Sequence, residues 1–428
     1  MSLPKQLAYP ITKSSAVASL STSFALTPTS QSVNFAPGQT VSFDIPTGQR
    51  ATYLNPAGTF LRFTVTPSIT SANADLWYSH AFDFIKTLTL YGQQGSTQIE
   101  TIDQYAALHA ALRDLCSDRS NITASDSIML NADVLGNRCP SGLSKTTSFT
   151  FCMPLVSVLG TLAADQAYLP VHALNAPLRL DLVLASAASA INTIGPSASA
   201  SATSAVNYSI AKIELNLNYV TISDIAQSQI HQMCGGKYQI NSTMWRNFRT
   251  SHPATQQSNS IQIPARYDSV RSILTIQRDS SVLEDWKYFS NTERIKNQLQ
   301  TYQYRIGSSF ANPKPVDCTT YSWPYVELRK IFNNVSSENM PGLLRLSEYS
   351  IEGKTATSTS VGSFMIGLEA QPFSQVQGLI SGTSTLANQI WLDMVLGGTC
   401  VAATIDSYCE ADCLLTFDSE VGQLSVAY

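Results

Sequence analysis

Apolar and polar residues alternate with a period of two along most of this chain, and this alternation is what most constrains its fold. Val41, Phe43 and Ile45 alternate with Ser42 and Asp44. The same pattern recurs at 61–65, 178–184, 213–219, 390–396 and 423–428. Such a strand buries one face and leaves the other for solvent or a partner. The pattern therefore predicts antiparallel β-sandwiches rather than a parallel sheet.

The strand pattern is also duplicated. The segment LDLVL at 180–184 is similar to LDMVL at 392–396, and FDIP at 43–46 is similar to IQIP at 261–264. A strand pattern that ends at Gly92 likewise matches one that ends at Gly307. The order of the matched segments is the same in both halves, which predicts two β-rich units in tandem.

A helical pattern follows each of these two glycines. Its apolar positions are Tyr105, Leu108 and Leu112 in the first half and Tyr325, Leu328 and Phe332 in the second. Strand, glycine and helix in this order also build phosphate-binding loops, but neither copy contains Gly-x-Gly-x-x-Gly. The joint is therefore predicted to be structural, with Thr101 and Gln104 forming a capping box at the start of the first helix.

Charged residues are scarce. They make up 13% of the 428 residues, about half the usual share, and the net charge is -4. Lys5 and Lys13 are the only charged residues before Asp44, so there is no arginine-rich arm to condense a genome. A surface with so few charges suits a protein whose faces are covered by copies of itself or by partners.

The sequence is typical of a protein that is made and assembled inside a cell rather than secreted. Its first residues lack the basic and apolar regions of a signal peptide, and no apolar run reaches the roughly 18 residues needed to span a bilayer. The eight cysteines form no Cys-x-x-Cys pair, so reduced and mostly buried thiols are expected. Without a signal peptide, the sequons that start at Asn121, Asn207, Asn241 and Asn334 carry little weight.

No segment carries a complete catalytic motif. Gly-x-Ser-x-Gly and His-Glu-x-x-His are absent, and EGKT at 352–355 lacks the first glycine of a phosphate-binding loop. His231 with Cys234, and Asp165 with His172, have no third group that would complete a reactive site. The sequence therefore predicts no catalytic, cofactor-binding or metal-binding residues and no cofactor.

Two segments leave a second interpretation open. Thiols and acids are mixed in one of them, at Cys400, Asp406, Cys409, Glu410, Asp412 and Cys413. The carboxylates could hold a calcium ion at a subunit contact, whereas the simpler interpretation is two strands and a loop with the acids in solvent and the thiols in the core. The other segment, 244–253, interleaves aromatic residues with Arg246 and Arg249, a weak nucleic-acid signature. A linker whose aromatic residues fill a domain junction is the preferred interpretation.

The chain is predicted to comprise four regions. They are an N-terminal arm at 1–40, a first sandwich at 41–222, a linker at 223–250 and a second sandwich at 251–428. Gly235 and Gly236 in the linker permit a turn between two sheets. The stretches 186–207 and 333–363 contain many small and polar residues and are predicted to be surface loops.

Three segments give the chain its resemblance to a known family. They are GSTQIETIDQYAALHAALRDL at 95–115, FCMPLVSVLGTLAADQAYLPVHALNAPLRLDLVLA at 151–185 and IDSYCEADCLLTFDSEVGQLSVAY at 405–428. With the duplication, they make the chain similar to the double jelly-roll major capsid proteins of double-stranded DNA viruses, the adenovirus hexon lineage. The nearest likeness is to the smaller members from Polinton-like viruses, adintoviruses and virophages.

The resemblance implies an all-β fold with a few short helices, in which two eight-stranded jelly-roll sandwiches stand in tandem. It implies a structural protein of an icosahedral virion and not an enzyme. Such proteins form homotrimers with a six-sided outline, because two similar modules per chain mimic sixfold symmetry. Implied partners are neighbouring capsomers, penton and minor capsid proteins and, where one is present, an inner membrane, without sequence-specific binding of nucleic acid. The two loops would lie at the top of the capsomer, and the arm would reach its neighbours.

Three other classes of protein remain as alternatives. A single-jelly-roll capsid subunit with a protruding second domain is disfavoured by the duplication and by the lack of a basic arm. A β-sandwich adhesin or glycan-binding protein is favoured by the sequons but disfavoured by the missing signal peptide and the unpaired cysteines. An enzyme is disfavoured because no acid, base and nucleophile converge in the sequence.

Overall fold

The computed structural model describes residues 19–30, 32–69, 76–78, 80–92, 95–116, 141–143, 148–160, 168–191, 206–285, 291, 293–331, 344–350, 362–371 and 382–428. Four antiparallel sheets form two sandwiches, one in each half of the chain. Most of the two predicted surface loops falls outside the described residues, at 192–205, 332–343 and 351–361, as does EGKT. None of the helices in the described ranges is long and apolar enough to cross a bilayer.

The first sandwich uses one strand or more from each alternating segment of the first half. The strands are β1 (Ser19–Leu26), β2 (Asn34–Phe35), β3 (Thr40–Ile45), β4 (Thr52–Ile69), β5 (Leu76–Tyr78), β6 (Ile85–Gly92), β7 (Thr97–Asp103), β8 (Ser141–Leu143), β9 (Phe149–Pro154), β10 (Leu178–Leu184) and β11 (Val206–Ile222). One sheet has the order β1-β11-β4-β9, with β2 beside β11, and the other has the order β3-β10-β6-β7. β5 pairs with β8.

The second sandwich repeats this arrangement. Its strands are β12 (Lys237–His252), β13 (Ser258–Ile263), β14 (Val270–Asp279), β15 (Leu299–Ile306), β16 (Ser309–Phe310), β17 (Val316–Asp317), β18 (Ile366–Glu369), β19 (Ile390–Leu396), β20 (Ala403–Asp418) and β21 (Gln423–Ala427). One sheet has the order β12-β20-β14-β18, with β21 beside β20. The other has the order β13-β19-β15-β16, with β17 beside β15.

Both sandwiches have the strand order of a jelly roll. In each, the first of eight strands lies beside the eighth, followed by the third and sixth, while the second lies beside the seventh, followed by the fourth and fifth. The duplicated segments occupy equivalent places: Leu180 of β10 lies opposite Phe43, and Leu392 of β19 lies opposite Ile261. The predicted duplication and the double jelly-roll fold are confirmed.

Short helices connect the strands. They are α1 (Tyr105–Cys116), α2 (Ala187–Ala190), α3 (Asp224–Cys234), α4 (Ser322–Lys330) and α5 (Leu346–Tyr349), with single 3-10 turns at Ala81–Phe84 and Val171–Ala173. The helices predicted after the two glycines, α1 and α4, are confirmed. The capping box is wrong, because β7 continues through Asp103 and only Gln104, at φ 51°, separates strand from helix. Thr101 lies within the strand and bonds the hydroxyl of Thr89.

The first strand of each sandwich lies where the sequence suggested less regular structure. β1 falls within the predicted arm 1–40 and pairs along its length with β11, whose edge would otherwise be open. β12 begins within the predicted linker 223–250 and pairs with β20. Gly235 and Gly236, at φ 59° and 76°, make the turn from α3 into β12 as expected. The exact domain limits stay a prediction.

Equivalent core positions in the two sandwiches should contribute equally to the free energy of unfolding. Leu180 and Leu392 are fully buried, so Leu180→Ala and Leu392→Ala should each lower the free energy of unfolding by about 2–5 kcal/mol. Val395→Ala, in the same strand as Leu392 but 43% exposed, should cost about 0.5 kcal/mol or less. Urea denaturation followed by circular dichroism measures these costs. If Leu392→Ala costs no more than Val395→Ala, the equivalence of the two strands is wrong.

Candidate functional site: the seam between the sandwiches

The two sandwiches meet along one continuous contact, here called the seam. On one side lies the outward face of the β12-β20-β14-β18 sheet, and on the other lie β7, Gln104 and α1. The side chain of Asn247 donates to the backbone oxygen of Asp103 at 3.3 Å, and the Tyr408 hydroxyl donates to the backbone oxygen of Gln104 at 2.9 Å. Arg278 also donates to the side-chain oxygen of Gln104, at 3.1 Å. The turn from β7 into α1 is therefore the main docking point.

A buried carboxylate, Asp406, organises the seam. Its side chain is fully inaccessible and accepts hydrogen bonds from Arg278 at 2.7 and 3.0 Å, from Arg249 at 2.9 Å and from Asn247 at 3.0 Å. Burial acts to raise the pKa of Asp406, but the charges of Arg278 and Arg249 and these hydrogen bonds outweigh it and lower the pKa below its ordinary value. Asp406 thus stays ionised and fixes two guanidinium groups, one of which reaches the first sandwich.

Further contacts extend the seam beyond Asp406. Arg294 forms a buried ion pair with Asp114 near the end of α1, and the backbone oxygen of Asp114 accepts from the Leu344 amide at 3.1 Å. The Asn291 side chain donates to the backbone oxygen of Asp83 at 3.0 Å. Tyr428 donates to β7, at 2.9 Å from the oxygen of Gln98. Because both sides contribute buried polar groups, the two sandwiches are held in one orientation.

Two buried titratable groups lie on the first sandwich's side of the seam. Glu100 of β7 accepts hydrogen bonds from the Ser157 hydroxyl and from the Val158 amide at 3.2 Å. Burial raises its pKa to about 7, although these hydrogen bonds act to lower it. His109 of α1 has its pKa lowered to about 4, chiefly by burial and then by the charge of Arg113. At neutral pH the carboxyl is partly protonated and the imidazole is neutral.

A cavity of about 80 Å³ opens on the seam. It is lined in part by Lys86, Arg249 and Arg278, with Glu284 on its wall. A water molecule needs about 10–15 Å³ of such space, so the cavity is large enough for a few waters. Asp406 and Glu284 offset two of the three positive charges, so the cavity is a polar gap in the seam.

The segment 400–413 differs from the sequence-based interpretation. It lies mostly within one long strand, β20, where Asp406 is buried and Glu410 and Asp412 are only partly exposed. Glu410 accepts from the Ser272 hydroxyl at 2.8 Å and Asp412 from the Ser269 hydroxyl at 2.5 Å, while Asp406 binds arginines. Within the described ranges, no three His, Cys, Asp or Glu side chains converge as metal ligands do. Each of these three acids therefore has a hydroxyl or guanidinium partner within the chain.

The thiol of Cys400 lies beside the imidazole of His252. The Cys400 sulfur lies 3.6 Å from Nε2 of His252, whose Nδ1 lies 3.1 Å from the side chain of Asn259. Cysteine, histidine and asparagine in this order also occur in thiol hydrolases. Here Cys400 and His252 are 2% and 1% exposed, so no substrate can reach the sulfur. This cluster packs the end of β12 against the turn before β20.

The other sequence candidates lie apart from one another. Residues 244–252 of this segment belong to strand β12, with Trp245 buried and Arg249 in the seam, so the segment is a strand and not a linker. His231 bonds the Tyr238 hydroxyl at 3.4 Å, and Cys234 is exposed. Nε2 of His172 accepts from the side-chain nitrogen of Gln227 at 2.8 Å, and burial lowers the pKa of His172. Asp165 lies outside the described residues.

This chain is similar to known proteins in its structure and not in its sequence. No protein-family model matches the sequence, and no curated protein matches it. The fold is similar to the PBCV-1 virus capsid model (TM-score 0.67, 11% identity, covering 98% of this chain and 99% of that one). It is similar to the Faustovirus major capsid protein (TM-score 0.61, 8% identity, 96% and 93%). It is also similar to the mavirus major capsid protein (TM-score 0.54, 13% identity, 100% and 96%). The double jelly roll thus extends along the whole chain.

Breaking the seam at its centre should be costly. Asp406→Asn leaves the buried Arg278 and the partly exposed Arg249 without a counter-charge, and we expect it to lower the free energy of unfolding by about 3–5 kcal/mol. Asp393→Asn removes the partly exposed partner of Arg305, at 3.4 Å, and should cost less than about 1 kcal/mol. Thermal and urea denaturation compare the two variants. Equal costs would mean that Asp406 does not organise the contact.

The buried carboxyl predicts a specific pH dependence. Because the folded pKa of Glu100 is about 7 against an ordinary 4.5, its stabilising contribution is complete below pH 4.5 and is lost as the pH rises through 7. His109, at about 4 against 6.5, has the opposite trend: its contribution is complete above pH 6.5 and is lost towards pH 4. In the wild type these trends offset each other between pH 4.5 and 6.5.

Glu100→Gln removes only the first trend. Its stability should therefore rise with pH, and the gap to the wild type should widen by about 3 kcal/mol between pH 4.5 and 7.5. Urea midpoints at intervals of about one pH unit measure this. Glu420→Gln, which changes an exposed carboxylate, should follow the wild-type profile. Parallel profiles for Glu100→Gln and the wild type would contradict the titration of Glu100 in this range.

Proposed function

We propose that the chain is a viral major capsid protein. The observation that carries this proposal is the double jelly roll itself: it extends along the whole chain and is shared with the Faustovirus and mavirus major capsid proteins over more than nine-tenths of each. The chain is then a structural protein of the virion and not an enzyme, and it encloses the genome within an icosahedral shell. Its first partners are copies of itself, followed by neighbouring capsomers.

Homotrimers with a six-sided outline are the proposed building block. Two equivalent sandwiches per chain, held in one orientation by the seam, supply six similar modules to a ring of three chains. The buried ions at Asp406 support this proposal, because a building block of a shell needs a fixed angle between its modules. Penton and minor capsid proteins, and an inner membrane where one is present, are the further proposed partners.

The composition supports a surface made for packing. On the outward face of the β1-β11-β4-β9 sheet, the hydroxyls of Thr64 and Thr150 lie 2.8 Å apart. The charges of Arg62 and Glu214 on the same face pair at 3.5 Å. Hydroxyls that bond one another and charges that are paired cost far less to cover than isolated charges would. The same scarcity of charge favours a protein that does not bind nucleic acid directly.

Assembly distinguishes this proposal from an adhesin. Light scattering of the purified chain should give about three times its 46.4 kDa mass over a wide concentration range, and negative-stain images should show six-sided projections. A chain that stays monomeric at every concentration, and that binds glycans on an array, would contradict the capsid proposal and favour the adhesin. Larger shells formed on concentration or in salt would support it further.

A further inference from the structure

An apolar groove lies where the chain passes from the first sandwich into the second. Its volume is about 330 Å³, and tyrosine, isoleucine and proline side chains make up most of its lining. The first sandwich contributes Tyr53 and Ile222, the second contributes Tyr238 and Ile240, and α3 contributes Ile230. Sites that bind a ligand or a partner commonly enclose about 300–1,000 Å³. The groove is therefore large enough to take up apolar side chains from another segment.

The walls of the groove are held in place by one side chain of α3. Gln227 accepts a hydrogen bond from the Tyr53 hydroxyl at 2.7 Å and donates to the Tyr238 hydroxyl at 3.2 Å. It also donates to Nε2 of His172 at 2.8 Å. Because Tyr53 and Tyr238 belong to different sandwiches, these bonds fix α3 across the junction. The groove thus exists before anything enters it.

The helix α3 has no cover of its own. None of its eleven residues is buried. Ile230 and Cys234 lie one helical turn apart on the same face, and both line the groove. An apolar stripe on a helix normally packs against the rest of the protein. Here the groove leaves room for a further segment along that stripe.

The described part of the chain begins beside this groove. Ser19, the first residue of β1, is the ladder partner of Ile222, which lines the groove. Partners in an antiparallel ladder have Cα atoms about 4.5–5.5 Å apart. Since β1 is antiparallel to β11, its N-terminal end points in the direction in which β11 leads into α3. The residues before Ser19 are therefore tethered at the groove.

The sequence before Ser19 contains apolar side chains that suit this groove. Leu7, Tyr9 and Ile11 alternate with an alanine and a proline, so in an extended chain the three side chains share one face. The proline after Tyr9 favours this extended conformation. Ile11 is eight residues from Ser19, a separation that an extended chain spans with roughly 26 Å. The three side chains can thus reach the groove.

We propose that the groove binds residues 7–11 of the same chain, with Leu7, Tyr9 and Ile11 as the anchoring side chains. The tether at Ser19 gives the segment an effective concentration on the order of millimolar, which favours it over the same segment of a second copy. In the groove it contacts side chains of both sandwiches, so it adds a second connection between them besides the seam. This inference does not rest on the proposed function.

A crosslink to Cys234 tests where the segment lies. Cys234 is an exposed thiol on the groove, and Ala8→Cys places a second thiol between two anchors. A short bismaleimide should join the two thiols within one chain, as seen by peptide mass spectrometry and by a denaturing gel. Adding Tyr9→Asp should slow this link about tenfold or more, because a carboxylate does not leave water for an apolar groove. Cys234→Ser should abolish the link.

A matched pair of substitutions tests the groove itself. Tyr168→Asp changes a 45% exposed lining residue and should slow the link as Tyr9→Asp does. Ile225→Asp places the same charge at a 75% exposed position of α3 outside the lining and should leave the rate unchanged. Circular dichroism melts check that each variant is folded.

Three outcomes would overturn the inference. Equal rates with and without Tyr9→Asp would mean that the segment is not held in the groove, and so would the absence of any link to Cys234. A link that joins two chains, with twice the mass on the gel, would assign the groove to the segment of a second copy. Light scattering of the same samples reports separately on trimers, so failure of the proposed function remains distinguishable.

Discussion

The fixed geometry of this protein depends on one buried charge. Asp406 is desolvated completely, and its ionised form is stable only because Arg278, Arg249 and Asn247 surround it. The arrangement adds little net stability compared with an apolar contact, since burying the charges of Asp406 and Arg278 is costly. It does penalise every other alignment of the sandwiches, because any shift would leave one of these charges unpaired. Orientation, and not strength, is what the buried charges supply.

The sheets could be predicted because their signal is local. The alternation at Leu178–Leu184 and its repeat at Ile390–Leu396 already define which side chains face a core, and both became central strands. The seam could not be predicted in this way. Arg249 and Asp406 both stood out in the sequence, but in separate segments and with separate interpretations. Only the antiparallel register of two sixteen-residue strands places them opposite each other.

Two further predictions from the sequence were wrong for the same reason, namely pairing between strands that are distant in the sequence. Ser19–Leu26 is rich in serine and was therefore assigned to an arm. In the structure it pairs with the edge of β11 as a strand. Thr101 and Gln104 have the spacing of a capping box, yet the ladder between β6 and β7 keeps Thr101 extended until the helix begins. In both cases the local preference is worth about 1 kcal/mol, and a strand partner outweighs it.

The duplication also explains why the two faces of one ancestral sheet differ in chemistry. The β12-β20-β14-β18 sheet carries a buried ion cluster around Asp406 where it meets the first sandwich, whereas the outward face of the β1-β11-β4-β9 sheet carries Thr64 and the partly exposed pair of Arg62 and Glu214. A contact within one chain forms once, during folding, and can hold desolvated charges permanently. A contact between chains must form and dissociate until the correct neighbours meet, so a large desolvation barrier would trap errors. Hydroxyl and amide groups meet that requirement because their desolvation costs far less than that of a charge.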